Sequence, residues 1–371
     1  MEQEKWFQLN HPEEIDSPAL LIYKDRVAYN IQQMISIAGN AGRLMPHVKT
    51  NKIAEIVQMQ IDAGIHQFKC ATIAEAEMLA HTGATEILLA YQLNRTKAER
   101  YLTLIKKYPT IQFSSLVDNS FSAVLLNELF AQNNLVANVF IDVDAGMHRT
   151  GILPGDDMFN LFLQLHELPN IKFLGLHLYD GHQREPDFEL RKKDTQLAFE
   201  KVEEVRQKII SFGYPDIKII AGGTPTFTVH VLNKDVYCSP GTCVLWDHGY
   251  HSILKEQPFQ FAALIITRVI SKPMPGLITT DLGHKSVAAE NPIGKRIFFL
   301  NLDDYEVKSQ SEEHLVMQVK EWERIKVGDL FYGVPYHICP TVALFDEANI
   351  IENGDLIERW EVVARRKKIT I

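Results

Sequence analysis

Ile111-Gln-Phe-Ser-Ser-Leu-Val-Asp-Asn119 and Asn138-Val-Phe-Ile-Asp-Val-Asp144 are two short β-rich runs on either side of an amphipathic stretch over 119–133. Asp118 and Asn119 stand where a helix needs a side-chain acceptor for its first free N–H groups. Strand, helix and strand in that order form a right-handed crossover, and a chain of such units forms a parallel sheet.

The same alternation runs outward in both directions. Apolar runs fall at 43–48, 67–72, 86–91, 111–118, 138–144, 173–179, 217–223 and 236–245. Between them the periodicity predicts helices near 52–63, 73–82, 94–107, 119–133, 156–167, 187–211 and 225–233. Asn94 and Thr96, then Gly155 and Asp156, supply turn or capping chemistry ahead of two of these. Eight units over about 200 residues match a (β/α)8 TIM-type barrel. A doubly wound open sheet shares this strand pattern and is the alternative.

Past residue 256 helical periodicity mostly vanishes, and β-rich pieces follow at 261–270, 277–281, 297–302, 314–319, 330–332, 342–345 and 358–371. The expected organisation is an α/β barrel over 18–255 and a mainly β domain over 256–371 joined by residues 1–17.

Composition narrows the partners. With 46% hydrophobic and 23% charged residues, the 371-residue chain has a globular profile. A formal charge of -9 and the lack of a Lys/Arg-rich run argue against a nucleic-acid partner. The apolar runs are too short for a membrane span. Cys70, Cys238, Cys243 and Cys339 are too few and scattered for a disulfide framework. The acidic Met1-Glu-Gln-Glu-Lys-Trp-Phe7 has no apolar signal core, so a cytoplasmic location is expected.

In a barrel the chemistry gathers at the C-terminal ends of the strands. Lys49 follows the first run, Asp144-Ala-Gly-Met-His-Arg-Thr-Gly151 the fifth, and His177-Leu-Tyr-Asp-Gly-His182 ends the sixth. Gly222-Gly-Thr224 follows the seventh and Gly241-Thr242 comes late in the eighth. Glycines there let backbone N–H groups reach a phosphate, and threonine hydroxyls add donors; two tight turns are the plainer reading. An amine withdrawn from water at a strand tip can attack an aldehyde. Lys49 is the first candidate for that amine and Lys52 the second. Arg149 is either a rim ion-pair residue or a fork for a cofactor or substrate anion.

His337-Ile-Cys339 is read as extended, which would place imidazole and thiol on one side, able to grip a divalent metal. That donor set favours zinc, with manganese or magnesium as alternatives. The plainer reading is a packed histidine beside an inert cysteine. Asp281-Leu-Gly-His-Lys285 adds polar groups to the same β domain, as a turn or as part of a site.

Together, Pro46-His-Val-Lys-Thr-Asn-Lys52, the Asp144–Gly151 run, Gly222-Gly-Thr-Pro-Thr226, Pro240-Gly-Thr242 and Pro335-Tyr-His-Ile-Cys-Pro-Thr-Val342 resemble the D-threonine aldolase/D-serine dehydratase family. The likeness runs from Ser17-Pro-Ala-Leu20 to beyond Thr341. It implies an alanine-racemase-like fold, a pyridoxal 5'-phosphate (PLP) cofactor, a homodimer and a lyase acting on small β-hydroxy-D-amino acids. It makes Lys49 the covalent anchor, sets Arg149 and Tyr179 against cofactor or substrate, and makes His337 and Cys339 metal ligands.

Two departures bear on the reaction. The aldolases more often carry His-x-Asp at the metal and the dehydratases His-x-Cys, as here. The aldolases also place a histidine several residues beyond the strand-six tyrosine. Here His182 is only three beyond Tyr179, and it is the candidate base. Retro-aldol cleavage is the first expectation and dehydration the second. Racemisation, with a base among Tyr250, Tyr305, Tyr332 and Tyr336, or a non-catalytic PLP carrier are further alternatives.

Overall fold

The computed structural model of the chain describes residues 5–371. It divides into two compact units, one of 33–49, 57–241 and 366–371, the other of the residues up to 32 with 50–56 and 242–365. A 3-10 turn at Pro12–Glu14 precedes strand β1 (Ala19–Tyr23) and helix α1 (Lys24–Ala38), then α2 (Ala54–Asp62).

Seven parallel strands follow in the first unit: β2 (Gln67–Cys70), β3 (Glu86–Gln92), β4 (Gln112–Val117), β5 (Ala137–Val143), β6 (Ile171–Leu178), β7 (Lys218–Ala221) and β8 (Val236–Cys238), paired in chain order. Between them lie α3 (Ile73–Thr82), α4 (Arg95–Lys107), α5 (Ser120–Ala131), α6 (Asp156–Glu167), α7 (Phe188–Ser211) and the single turn α8 (Phe227–His230). Asn94 and Asn119 accept the third backbone N–H of α4 and α5, as their positions predict. At α6 the cap is Gly155 without a side-chain bond, and Asp156 and Asp157 complement the helix dipole instead.

The eighth stave is the run at 43–48, with a correction: it forms no continuous strand. Pro46 has no N–H to give a ladder. Leu44 bridges Cys238 and His47 bridges Lys69, both in parallel, so the segment touches both edge strands and closes the ring. Met45 N–H to Cys238 O (2.9 Å) and Val48 N–H to Lys69 O (2.9 Å) carry the closure. Strand β8 is shorter than the apolar run suggests, because Pro240 interrupts it and Thr242–Val244 winds into a 3-10 turn. Met45, Leu88, Leu116, Phe140 and Ile220 form one buried cluster inside the barrel, each contributing roughly 1.5–3 kcal/mol by leaving water.

In the second unit α9 (His248–Ile253) precedes β9 (Ala263–Met274), β10 (Leu277–Thr280), β11 (Ile297–Phe299), β12 (Tyr305–Gln310), β13 (Leu315–Val319), β14 (Leu330–Pro335), α10 (Ile338–Val342), β15 (Glu347–Glu352) and β16 (Asp355–Glu361). Strand β1 enters this sheet between β9, antiparallel, and β15, parallel. The start of the chain is therefore central to the β domain. Asp281 ties it down, accepting from Ser17 Oγ (2.5 Å), Thr267 Oγ1 (2.5 Å) and Arg268 N (2.9 Å). That use answers the Asp281–Lys285 motif: its carboxylate is structural.

Four β expectations change, one of them β15, which falls between the expected pieces at 342–345 and 358–371. Strand β12 was not expected, because Tyr305-Glu-Val-Lys-Ser-Gln310 is polar and half-exposed along its length. Residues 342–345 end helix α10 and turn instead of pairing. Strand β16 stops at Glu361, and the last six residues belong to the barrel unit, where Thr370 and Ile371 N–H donate to Glu77 Oε2 at 3.1 and 3.3 Å. Among the described residues no helix is long and apolar enough to cross a membrane.

Candidate active site

The Asp144–Gly151 run after β5 folds on its own aspartate. Asp144 Oδ1 accepts from Gly146 N and His148 N, both at 2.9 Å, and Oδ2 pairs with His148 Nδ1 at 2.8 Å. Gly151 turns with φ +99°, and a Cβ there would sit 2.5 Å from Asp144 N, so only glycine closes this loop. The loop presents Arg149, whose guanidinium lies 5.1 Å from the centre of the Tyr179 ring.

Tyr179, just past β6, is the hub of the chamber at the C-terminal end of the strands. Lys49 Nζ stands 5.2 Å from its ring centre and Lys69 Nζ 5.5 Å. Lys49, Lys69, Arg149, Asp142, His177 and Tyr179 all line one cavity. Gly223 completes the wall: a Cβ on it would come within 2.8 Å of Tyr179 Cε2. The turns after β7 and β8 are joined by Gly241 N–H to Thr224 Oγ1 at 3.3 Å. Lys49, Arg149 and Tyr179 thus line one cavity, Gly223 lies against the Tyr179 ring beside Gly222, and Thr224 and Gly241 are bonded to each other at the same strand ends.

Beneath the glycine turn lies a buried triad that sequence did not reveal. Asp180 accepts from Thr226 Oγ1 at 2.6 Å and pairs with His230 Nε2 at 2.7 Å. Burial alone would push the Asp180 carboxyl up, but His230 and the Thr226 hydroxyl outweigh it and hold it below the ordinary range. Asp180→Ala leaves those two donors without this acceptor. Each is expected to cost about 1–3 kcal/mol, read as a lower denaturant midpoint at constant slope.

A second buried chain crosses the barrel. Asp142 accepts from His177 Nδ1 at 2.8 Å and from Gln92 Nε2 at 2.7 Å. Burial, then the Lys69 charge, lowers the His177 pKa against the pull of Asp142, so this ring is neutral at pH 7. Lys69 had no place among the expected site residues.

Three expected residues stand elsewhere. His182 is exposed; it packs over Gly146, whose added Cβ would lie 3.1 Å from His182 Nε2, and it is not among the residues lining the chamber. Thr242 Oγ1 bonds Cys339 Sγ at 3.4 Å in the β unit. Lys52 sits in a turn with φ +55° rather than on a helix surface, since α2 starts only at Ala54.

The His337–Cys339 pair forms by a different route from the one expected. His337 lies two residues past the end of β14 and caps α10, and Cys339 lies inside that short helix. The strand-to-helix corner, not an extended strand, brings the side chains together. Thr50 Oγ1 lies 3.1 Å from Cys339 Sγ, and His337 Nδ1 pairs with Glu290 Oε1 at 2.5 Å. Burial would lower the His337 pKa, but Cys339, Glu290 and Asp247 overcome it and push it up to about 9. A carboxylate on Nδ1 is the arrangement that leaves Nε2 for a metal. Imidazole and thiol suit a divalent ion with positions left for water or substrate. Among the described residues no group of three or more His, Cys, Asp or Glu side chains is placed to hold a metal ion.

The chamber also fits PLP. Lys49 and Arg149 make no side-chain hydrogen bond among the described residues, so an amine is placed for an aldehyde and a guanidinium for an anion. Glycine turns lie at the same end of the barrel for a phosphate.

Residues 22–245 match the family model "Alanine racemase, N-terminal domain", and residues 262–351 match that of the serine dehydratase domain. The 3-hydroxy-D-aspartate aldolase of Paracoccus denitrificans (strain Pd 1222) is 26% identical, over 95% of this chain and 93% of its own. The D-threo-3-hydroxyaspartate dehydratase of Delftia sp. (strain HT23) is 26% identical, over 94% and 97%. The crystal structure of D-threonine aldolase from Filomicrobium marinum superposes with TM-score 0.87 at 23% identity, over 95% of this chain and 96% of that one. The parallel barrel, the lysine at its rim and the β domain with its dehydratase signature converge on one answer: the chain belongs to the alanine racemase N-terminal domain family, in the branch that continues into a serine dehydratase domain.

Proposed function

We propose that the chain is a PLP- and metal-dependent lyase that cleaves small β-hydroxy-D-amino acids to glycine and an aldehyde. The observation that carries this reading is Lys49: an amine without a hydrogen-bonding partner among the described residues, 5.2 Å from the Tyr179 ring, in a chain that also builds the His337–Cys339 pair. Aldolases and dehydratases are its relatives over nearly the full length.

When bound, PLP supplies an electron sink for charge developing at Cα. Lys49 would hold its aldehyde covalently. Gly222, Gly223, Thr224, Gly241 and Thr242 would hold its phosphate through the turns after β7 and β8. Arg149 would take an oxygen anion of cofactor or substrate carboxylate with its fork of donors. Tyr179 would pack against the ring face and orient it. His182, exposed beside Gly146 and outside the chamber lining, is the candidate acceptor of the hydroxyl proton. His337 and Cys339 would hold a divalent metal, zinc by preference, whose chemistry is to polarise a hydroxyl oxygen. A cytoplasmic homodimer, with the parallel barrel as its cofactor domain, completes the reading.

A second reading, elimination of D-serine to pyruvate and ammonia, is favoured by the thiol at Cys339. There Lys49 takes the Cα proton. Racemisation has less support, since Tyr332 Oη accepts from Leu9 N (3.1 Å) and Tyr305 Oη donates to Ile297 O (3.2 Å), which commits two of the four candidate phenols. Incubation with D-threonine and D-serine decides. Glycine with acetaldehyde from D-threonine is expected; pyruvate from D-serine without glycine would install the second reading.

A further inference from the structure

Lys69 is a buried amine that the proposed chemistry does not use. It lies on β2, is 1% exposed, and its stem is enclosed by the barrel. No carboxylate pairs with it among the described residues. Its neighbours instead are Ser239 Oγ, in a short hydrogen bond, and His177 Nε2 at 3.4 Å.

The direction of these bonds follows from their neighbours. Ser239 donates its own hydroxyl proton to Gly222 O at 2.9 Å, so its oxygen must accept from Lys69. His177 donates its Nδ1 proton to Asp142, so its Nε2 also accepts. Lys69 therefore gives away two protons and has one position left on its nitrogen. That position belongs to a residue lining the chamber that holds Lys49 and Arg149.

A structural role explains this poorly. A buried ammonium without a carboxylate destabilises the fold, and methionine would fill the same space without that cost. Burial, followed by repulsion from Lys49, lowers the Lys69 pKa to about 7 against the pull of Asp142 and Asp180. An amine so placed gains most from a ligand carrying negative charge or a lone pair. Loading such a ligand restores the partner that the protein withholds.

We propose that Lys69 is a second cofactor-binding amine, held by Ser239 and His177 so that its remaining valence meets an oxygen or nitrogen lone pair of bound PLP. This rests on the reading of the chamber as a PLP site, which Lys49 and the glycine turns carry on their own.

The test compares wild type, Lys69→Met and Lys69→Arg, each stripped of cofactor and titrated with PLP while the visible band of the bound form is followed. Lys69→Met is expected to melt no lower than wild type yet bind PLP about tenfold or more weakly, as loss of one charged hydrogen bond implies. Lys69→Arg is expected to recover part of that affinity. Equal affinity and an unshifted band in Lys69→Met would overturn the assignment. Should Lys69→Met not fold, Ser239→Ala, which releases the amine from its short bond, is expected to weaken PLP binding in the same direction, and unchanged binding would overturn the assignment equally. A wild type that binds no PLP at all would instead remove the reading of the chamber itself.

Discussion

Lys49→Ala is expected to lose the visible absorbance of bound PLP and to lose lyase activity by about a thousandfold or more. The loss should not come from unfolding. Lys49 is half-buried, makes no side-chain hydrogen bond among the described residues, and follows the segment that closes the barrel through main-chain bonds. Truncation at Cβ leaves Met45 and Val48 N–H bonded as before, so the melting temperature should stay near that of wild type. Lys52→Ala serves as the control. Its main-chain oxygen accepts from Ala364 N at 3.2 Å, a bond that the substitution keeps, and its amine is outside the chamber lining. Absorbance and turnover should persist. Equal losses in both variants would point to damaged folding around 49–52 rather than to an anchor.

Cys339→Ala and His337→Ala are expected to separate cofactor from metal. Each removes one of the two proposed protein ligands, so metal affinity and turnover should fall about a hundredfold or more. The PLP band should survive, because the Lys49 amine makes no hydrogen bond to either side chain among the described residues, although Thr242 loses its bond to Cys339 Sγ in Cys339→Ala. Prolonged chelation of wild type should reproduce the phenotype, and added zinc should reverse it. Full activity after metal removal would make the pair structural, with Thr50 and Thr242 merely capping the sulfur.

Much of the fold was legible because a strand period of two and a helix period near 3.6 leave different marks on the sequence. The boundaries that slipped did so for local reasons. Pro46 and Pro240 break strand ladders inside runs that are apolar enough to look continuous. Strand β12 is solvated on much of its length, so no apolar alternation marks it. Strand β1 was overlooked as a strand because its partners, β9 and β15, lie more than two hundred residues on.

The chamber was legible wherever backbone geometry demanded a residue type. Gly151 closes the Asp144 loop and Gly223 makes room for Tyr179. The long-range polar partners were not. Lys69 lies in Gln67-Phe-Lys-Cys70, where one polar residue between two apolar ones looks like a solvated face. A parallel strand covered on both sides has no such face, and in a closed barrel a lysine there must point inward. Asp180 and His230 are fifty residues apart, and only the approach of β6 to the turn after β7 joins them. His337 and Cys339 were found by spacing, although the corner at α10, not an extended strand, brings them together.

Two amines, Lys49 and Lys69, face the same tyrosine ring at nearly equal distance. The most direct measurement is therefore reduction of the PLP-loaded protein with borohydride, followed by peptide mass mapping of the modified lysine. The added pyridoxyl phosphate mass is expected on Lys49, in the peptide that contains Pro46-His-Val-Lys49. Modification of Lys69 or Lys52 with Lys49 left bare would contradict the assignment on which the proposed chemistry stands.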